Sequence, residues 1–349
     1  MTTTDAVAAY YDPYDVDINA DPYPAFRALR EQAPVYYNDV HDFWALSRFE
    51  DIDRALRSHE TFISGKGGIL ELIKAGIEMP PGILIFEDPP THTVHRRLLS
   101  RVFTPKRVAE LEPKVRDFCV RCLDPFVGED EFDFITHLGA QVPMKTISML
   151  LGIPESDQEA VRDRVDANIR TEAGKPMEVT DDFVSGEMFA EYIDWRADHP
   201  SDDLMTDLLE ATFTDETGEV RRLRRDEILT YVTVIAGAGN ETTNRLIGWT
   251  GKTLADHPDQ RRELVEDHSL IPNAIEELLR FEGPAPHVGR VVAKEVEVGG
   301  VTIPEGSAIL LLLGSGNRDE RRWADDDRFD IHRDVGQMLS FGYGIHFCL

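Results

Sequence analysis

The chain has 349 residues, 37 basic against 65 acidic, and a net charge of −28. That balance suits a globular fold and argues against non-specific attraction to nucleic acid or to an anionic membrane, since either would repel it. Three cysteines, Cys119, Cys122 and Cys348, make no disulfide framework and fit a reducing compartment.

The opening stretch MTTTDAVAAYYDPYD has no basic start and no apolar core, so no signal peptide is expected. The longest aliphatic run, Ala308 to Leu313, is too short to span a bilayer. These features predict a cytoplasmic protein with no membrane and no nucleic-acid partner. Neither an internal repeat nor a low-complexity linker is visible, which predicts one domain over residues 1–349. Asp21 to Pro34 reads as a capped helix closed by proline. Val35 to Ser47 alternates around Asn38-Asp39 and reads as a hairpin. A short helix follows from Glu50. The apolar, glycine-rich segment Gly65 to Phe86 is either core plus a turn or a loop lining a greasy pocket. The region Ala173–Phe183 is another candidate for shaping that pocket.

From Thr91 to about Ala197 the pattern is mostly helical, and Thr214 to Val220 reads as a turn or small hairpin. Asp226 opens a helix that runs by periodicity to Pro258, unusually long for a globular protein. Its middle is apolar on all sides, which predicts burial. Two more helical stretches lie between Pro258 and Phe281. Arg290 to Ser315 reads as short strands with turns at Gly299-Gly300 and Pro304-Glu305-Gly306. The fold class is therefore mostly α with minor β: a long central buried helix, and small β portions near the N-terminus and after residue 290.

Several constellations compete for a chemical role. Ala238-Gly239-Asn240-Glu241-Thr242-Thr243 puts a glycine, a carboxylate and two hydroxyls where packing wants leucine. Glycine costs about 1 kcal/mol against alanine there, and an unpaired buried carboxylate costs more. Such local failures tend to mark functional sites; the plainer alternative is a helix crossing with a satisfied Glu241. A phosphate-binding loop at the same place lacks the third glycine and a preceding strand. Glu277 and Arg280 share a helix face, a common pairing worth tenths of a kcal/mol when exposed. His92 and Arg96 also share a face and could grip one anion. His92 and His95 could start a metal site, but no further ligand completes it. Cys119 and Cys122 form a lone CxxC without another pair or a βαβ setting, so two buried core thiols are expected. Cys348 differs, because Phe341-Gly342-Tyr343-Gly344 supplies backbone free to turn ahead of it. His346 and Arg290 could neutralise nearby anions.

Taken together, these pieces resemble the cytochrome P-450 family of haem-thiolate monooxygenases. Phe341, Gly344 and Cys348 match its haem-binding signature. Ala238, Gly239, Glu241 and Thr242 match its acid–threonine motif, and Glu277 and Arg280 its Glu-x-x-Arg motif. Arg328-Phe329 matches the arginine-before-phenylalanine that completes that network. The resemblance covers essentially the whole chain and fits the soluble bacterial class.

It implies haem b with Cys348 as the iron ligand, set in the Phe341–Gly344 turn. Propionate contacts would fall on His92, Arg96, Arg290 and His346. Gly239 would leave room for dioxygen, and Thr242 with Glu241 would relay protons. Glu277, Arg280 and Arg328 would form a buried supporting network. An apolar small molecule is implied as substrate, with O2 and electrons from a ferredoxin-type donor served by its own reductase. The family's chains continue past the cysteine, so the resemblance also implies that the C-terminal helix and strands are missing here. The segment WADDD, before Arg328, stands where the family carries prolines, which predicts a looser loop. The alternatives are a peroxide-using peroxygenase on the same fold and a haem- or ligand-binding protein without turnover.

Overall fold

The computed structural model describes residues 9–77, 79, 81–169, 172–177 and 186–349. Most of the expected pocket-shaping region 173–183 beyond Met177 lies outside them. The chain divides into two compact units, one drawn from 1–79, 171–178 and 252–348, the other from 80–170 and 179–251.

The first unit holds a five-stranded sheet in the order β1-β2-β9-β6-β3. Its strands are β1 (Val35–Asn38), β2 (Phe43–Leu46), β3 (Phe62–Ile63), β6 (Val288–Val292) and β9 (Ala308–Leu311). The expected hairpin is β1–β2, with Val35 opposite Leu46 and Asn38 opposite Phe43. Asn38 makes the turn: its side-chain oxygen accepts from the amides of Val40 (3.0 Å) and His41 (2.9 Å). β9 pairs parallel with β2 and antiparallel with β6. Every residue of β9 is buried, which accounts for the unbroken aliphatic run, because such a strand is covered on both faces. Ile309 and Leu311 pack with Ile52, Trp323 and Leu339; Ala308 and Leu310 pack with Phe26, Leu29 and Phe43. The hairpin β7 (Val296–Val298)–β8 (Val301–Ile303) turns at Gly299-Gly300 as predicted.

The acidic loop before Arg328 is not loose. Arg27 pairs with Asp326 (3.3 Å) and with Asp327. Arg30, only 1% exposed, bonds Glu320 at 2.9 Å. The Trp323 indole N–H donates to the Val335 carbonyl at 3.1 Å, and Arg333 donates to the Ala324 carbonyl at 2.7 Å. Side chains from distant segments do what proline does locally.

The other unit is built around the central helix (Arg225–Asp256), whose last residues belong to the first unit. Helices Thr91–Val102, Pro105–Leu123, Val142–Leu151, Gln158–Ile169 and Ala190–Asp198 accompany it. β4 (Thr212–Thr214) and β5 (Val220–Arg222) form the expected small hairpin. Burial of the central helix is confined mainly to its first half, from Ile228 to Ala236, where it meets Leu98, Met144, Leu151, Phe189 and Leu208. Thr242 and Thr243 are exposed, contrary to the expected burial of the helix middle.

Glycines mark where neighbours press closest on the central helix. A Cβ on Gly239 would lie 2.6 Å from Ile147 Cδ1, one on Gly248 2.6 Å from Ile135 Cδ1, and one on Gly251 2.8 Å from the Phe134 ring. The segment facing them includes a π-helical turn, Ile135–Gly139, and Gly139 itself faces Asn244 Oδ1. The C-terminal half of this helix is thus a crossing face as well as a candidate site.

Candidate active site

The C-terminal turn presents its thiol on a fixed backbone. Gly344 lies at φ +72°, where an added Cβ would sit 2.7 Å from the Leu56 carbonyl oxygen. No other residue fits that approach without moving backbone. The guanidinium of Arg57 covers the Tyr343 ring at 4.4 Å. The Cys348 amide donates back to the Phe341 carbonyl at 2.9 Å, closing the loop. Cys348 is exposed, and in the same loop the exposed rings of Phe341 and Phe347 lie 6.2 Å apart, centroid to centroid. His346 ends a short 3-10 turn in the same loop. Arg290, 7% exposed, extends from β6 and donates to the Gly289 carbonyl at 2.7 Å.

Below the loop lies the acid–arginine network. Glu277 and Arg280 have fully buried side chains and make a two-pronged pair at 2.7 and 2.8 Å. Arg280 also donates to the carbonyls of Asn317 (3.0 Å) and Asp326 (2.9 Å). Asn317 carries the order onward: its oxygen accepts from the Leu339 amide (2.7 Å) and its amide donates to Ser340 (2.7 Å). Ser340 in turn donates to the Leu279 carbonyl at 2.6 Å. A continuous polar chain therefore runs from the helix Ile271–Phe281 to the residue preceding Phe341.

One expected member is replaced. Arg328 is exposed and enters through its carbonyl alone, which accepts from Arg280 (3.3 Å) and Arg333 (2.9 Å). The second guanidinium on Glu277 is that of Arg333, at 3.1 Å. Asp325 stands at φ +52° in the turn ahead, Phe329 is buried with Leu278 and Ile331, and the side chain of the preceding Arg328 lies outside. Arg333, Asn317 and Ser340 were not expected from the sequence. Their only signal there is proximity to Phe329 and Phe341.

In the unit built on the central helix, His92 is 2% exposed near the start of helix Thr91–Val102, and Arg96, one turn on, is half-buried. His95 does not pair with His92 around a metal. Its Nδ1 lies 2.8 Å from both oxygens of Glu87, and Glu87 also accepts from the Gly82 amide at 2.7 Å. This buried pair, beside the Tyr231 ring, fixes the segment that leads into the helix. The carboxylate just before Asp88-Pro89-Pro90 was its one signal. Burial pushes the Tyr231 hydroxyl far above its ordinary pKa.

Glu241 is not the buried carboxylate expected. Its side chain is 34% exposed and pairs with Arg245, one turn on, at 2.6 Å. Thr242 donates to the Ala238 carbonyl at 2.8 Å, as Thr230, Thr233 and Thr250 do to their own carbonyls four residues back. Cys119 and Cys122 are half-buried rather than core residues. Among the described residues no group of three or more His, Cys, Asp or Glu could hold a metal ion, and no helix is long and apolar enough to cross a membrane.

Residues 167–349 match the family described as Cytochrome P450. The chain is 36% identical over 347 residues to the putative cytochrome P450 123 of Mycobacterium bovis, covering 97% of this chain and 84% of that one. It is 32% identical to the vitamin D(3) 25-hydroxylase of Pseudonocardia autotrophica, covering 100% and 86%. The fold is similar to that of cytochrome P450 CYP109Q5 from Chondromyces apiculatus, with a TM-score of 0.84 and 34% identity over 97% of this chain and 86% of that one. The chain belongs to the cytochrome P450 family. It is an oxidoreductase, a monooxygenase whose cofactor is haem b and whose reaction consumes O2.

The thiol loop suits that cofactor. Its Cys348 thiol would be available to hold the iron, and the exposed Phe341 and Phe347 rings of the same loop would suit an apolar macrocycle.

Proposed function

We propose that the chain oxidises an apolar small molecule by hydroxylation, with Cys348 as the ligand of the haem iron. The carrying observation is the thiol loop, in which Gly344 is seated on Leu56 and the Cys348 amide closes back on the Phe341 carbonyl, leaving Cys348 exposed. When bound, haem supplies activation of O2, which a thiolate ligand favours by donating electron density. The chain's residues do the rest. His92, Arg96, Arg290 and His346 bind the propionates, the buried charge of Arg290 being suited to a carboxylate. Phe341 and Gly344 shape the loop. Glu277, Arg280 and Arg333 hold its underside through Asn317 and Ser340.

Gly239, Glu241 and Thr242 serve the oxygen side. Thr242 donates to Ala238 at rest and Glu241 holds Arg245, so a proton relay requires both contacts to exchange during turnover. The apolar substrate is supported by the relative named for vitamin D(3). Electrons come from a ferredoxin-type partner in the cytoplasm. In helix Thr91–Val102 Arg97 and Arg101 are exposed and offer it a basic face. Beyond the helix, Lys106 lies 3.8 Å from Glu110, and Arg107 is paired with Asp202 at 3.2 Å.

The test is the carbon monoxide difference spectrum of reduced, haem-loaded protein. The long-wavelength Soret band of thiolate ligation is expected, and Cys348→Ser loses it; a variant that keeps the band overturns the assignment. The relay is tested by product formed per electron consumed. Thr242→Ala diverts electrons to hydrogen peroxide, and an unchanged ratio leaves Thr242 as a helix residue bonded to Ala238. The partner reading fails if Arg101→Glu leaves the rate of reduction by a ferredoxin, and its salt dependence, unchanged.

A further inference from the structure

Cys119 and Cys122 lie in the last turn of the 19-residue helix Pro105–Leu123. Both are half-buried, and neither is in a disulfide. They share one helix face with Leu111, Val115 and Phe118, which are also wholly or partly buried, while Glu112, Arg116, Asp117 and Val120 face solvent. Nothing in the haem chemistry uses them.

Helical spacing decides what two such thiols can do. Residues three apart on a helix have Cβ atoms about 5–6 Å apart. An unstrained disulfide needs a Cβ separation of about 3.5–4.5 Å. Direct S–S bonding therefore requires the last helical turn to distort. A bridging atom removes that requirement, because two bonds of about 2.3 Å to a thiophilic centre let the sulfurs stay about 4.5 Å apart or closer without moving the backbone. The ligand count points the same way. Among the described residues no third His, Cys, Asp or Glu completes a site here, so a four-coordinate ion such as zinc is poorly matched, while soft centres that accept two sulfurs are well matched. Burial and the neighbouring Cys122 raise the Cys119 thiol above its ordinary pKa. A protonated Cys119 thiol favours a ligand that takes up thiols with loss of water.

We propose that Cys119 and Cys122 form a dithiol site for a soft, thiophilic centre that binds two sulfurs, of which a monosubstituted trivalent arsenical is the fitting probe. In the reaction with phenylarsine oxide, two As–S bonds form, the As–O bonding is lost, and the oxygen leaves as water with both thiol protons. Arsenic remains trivalent, so no oxidant or reductant is needed. The product staples the last turn of the helix.

The experiment uses the haem-loaded full chain titrated with phenylarsine oxide. Bound arsenic is counted by intact mass and located by peptide mapping. One phenylarsenic per chain is expected, bridging Cys119 and Cys122 and released by ethanedithiol. Cys119→Ser and Cys122→Ser should each weaken binding by at least about a hundredfold, since the other As–S bond is no longer formed intramolecularly. Equal affinity in wild type and Cys119→Ser overturns the proposal, as does an adduct mapped to Cys348. A further measurement exposes the chain to oxidised glutathione. Mixed disulfides at single cysteines agree with the spacing, and ready closure of a Cys119–Cys122 disulfide contradicts it.

Discussion

Two acid–arginine pairs in this molecule have nearly the same contact distance and little else in common. Glu277–Arg280 meets at 2.7 Å with both side chains fully buried, and Glu241–Arg245 meets at 2.6 Å with side chains 34% and 53% exposed. Sequence spacing suggests an ordinary surface pairing for Glu277–Arg280 and a costly buried charge for Glu241. The structure buries Glu277–Arg280, as the family resemblance implied and spacing alone did not, and leaves Glu241 partly exposed. Glu277–Arg280 is embedded in carbonyls from Asn317, Asp326 and Arg328 and in the guanidinium of Arg333. Glu241–Arg245 closes one turn of an open helix face. Distance alone does not set the worth of an ion pair; what remains unsatisfied when one partner leaves does.

Removing a buried partner should therefore have the largest effect. Arg280→Ala is expected to cost about 3–5 kcal/mol, read from urea unfolding, because Glu277 then stays buried with part of its charge unmatched. A loss under about 1 kcal/mol would mean that water or Arg333 takes over. Arg333→Ala should cost about 1–3 kcal/mol, whereas Arg328→Ala should stay within about 0.5 kcal/mol, since its carbonyl survives the change. The opposite order would restore Arg328 to the network. Arg245→Ala on the central helix should cost only about 0.3–0.5 kcal/mol, and that difference should shrink in high salt.

A third contact sharpens the contrast with the smallest and most local effect. At the β4–β5 turn the Thr217 hydroxyl, the amides of Glu219 and Thr217, and Arg221 hold Asp215 down to about 2 from its ordinary 3.8. A carboxyl lowered in the folded state adds stability above its unfolded value, and that stability is lost as pH falls through the folded one. Protection of the amides at Thr217 to Glu219, taken relative to the intrinsic exchange rate at each pH, should therefore fall between about pH 4 and pH 2. Asp215→Asn should exchange quickly at every pH; protection that persists in it would assign the order to the backbone.

Much of the fold was legible because its signals are local. The Asn38 turn, the Gly299-Gly300 turn and the long helix are each written in contiguous stretches of chain. The thiol loop was legible for the same reason. What escaped depends on residues far apart in the chain. Arg27 and Arg30 pin an acidic loop some 300 residues later, and no period in the sequence announces that. The exchange of Arg328 for Arg333 sets a guanidinium five residues further on against Glu277, which periodicity cannot see. His95 resembles a metal candidate in sequence because its partner Glu87 lies across a proline pair, off the helix that carries the two histidines. The missing Cβ of Gly239 suggests open space in sequence, yet it also admits Ile147.

The parallel pairing of β2 with β9, Trp44 beside Ile309, constrains how the chain can be made. The central strand of the first unit's sheet leaves the ribosome some 260 residues after the strand it joins. Everything from 80 to 170 and from 179 to 251 belongs to the other unit and emerges in between. A nascent chain must therefore keep the β1–β2 hairpin, with its inward-facing Phe43 and Leu46, without its neighbour β9 through most of synthesis, while the inserted unit can already condense from nearer contacts. Destabilising β9 should therefore lower the yield of folded protein more than an equal loss of stability within the inserted unit.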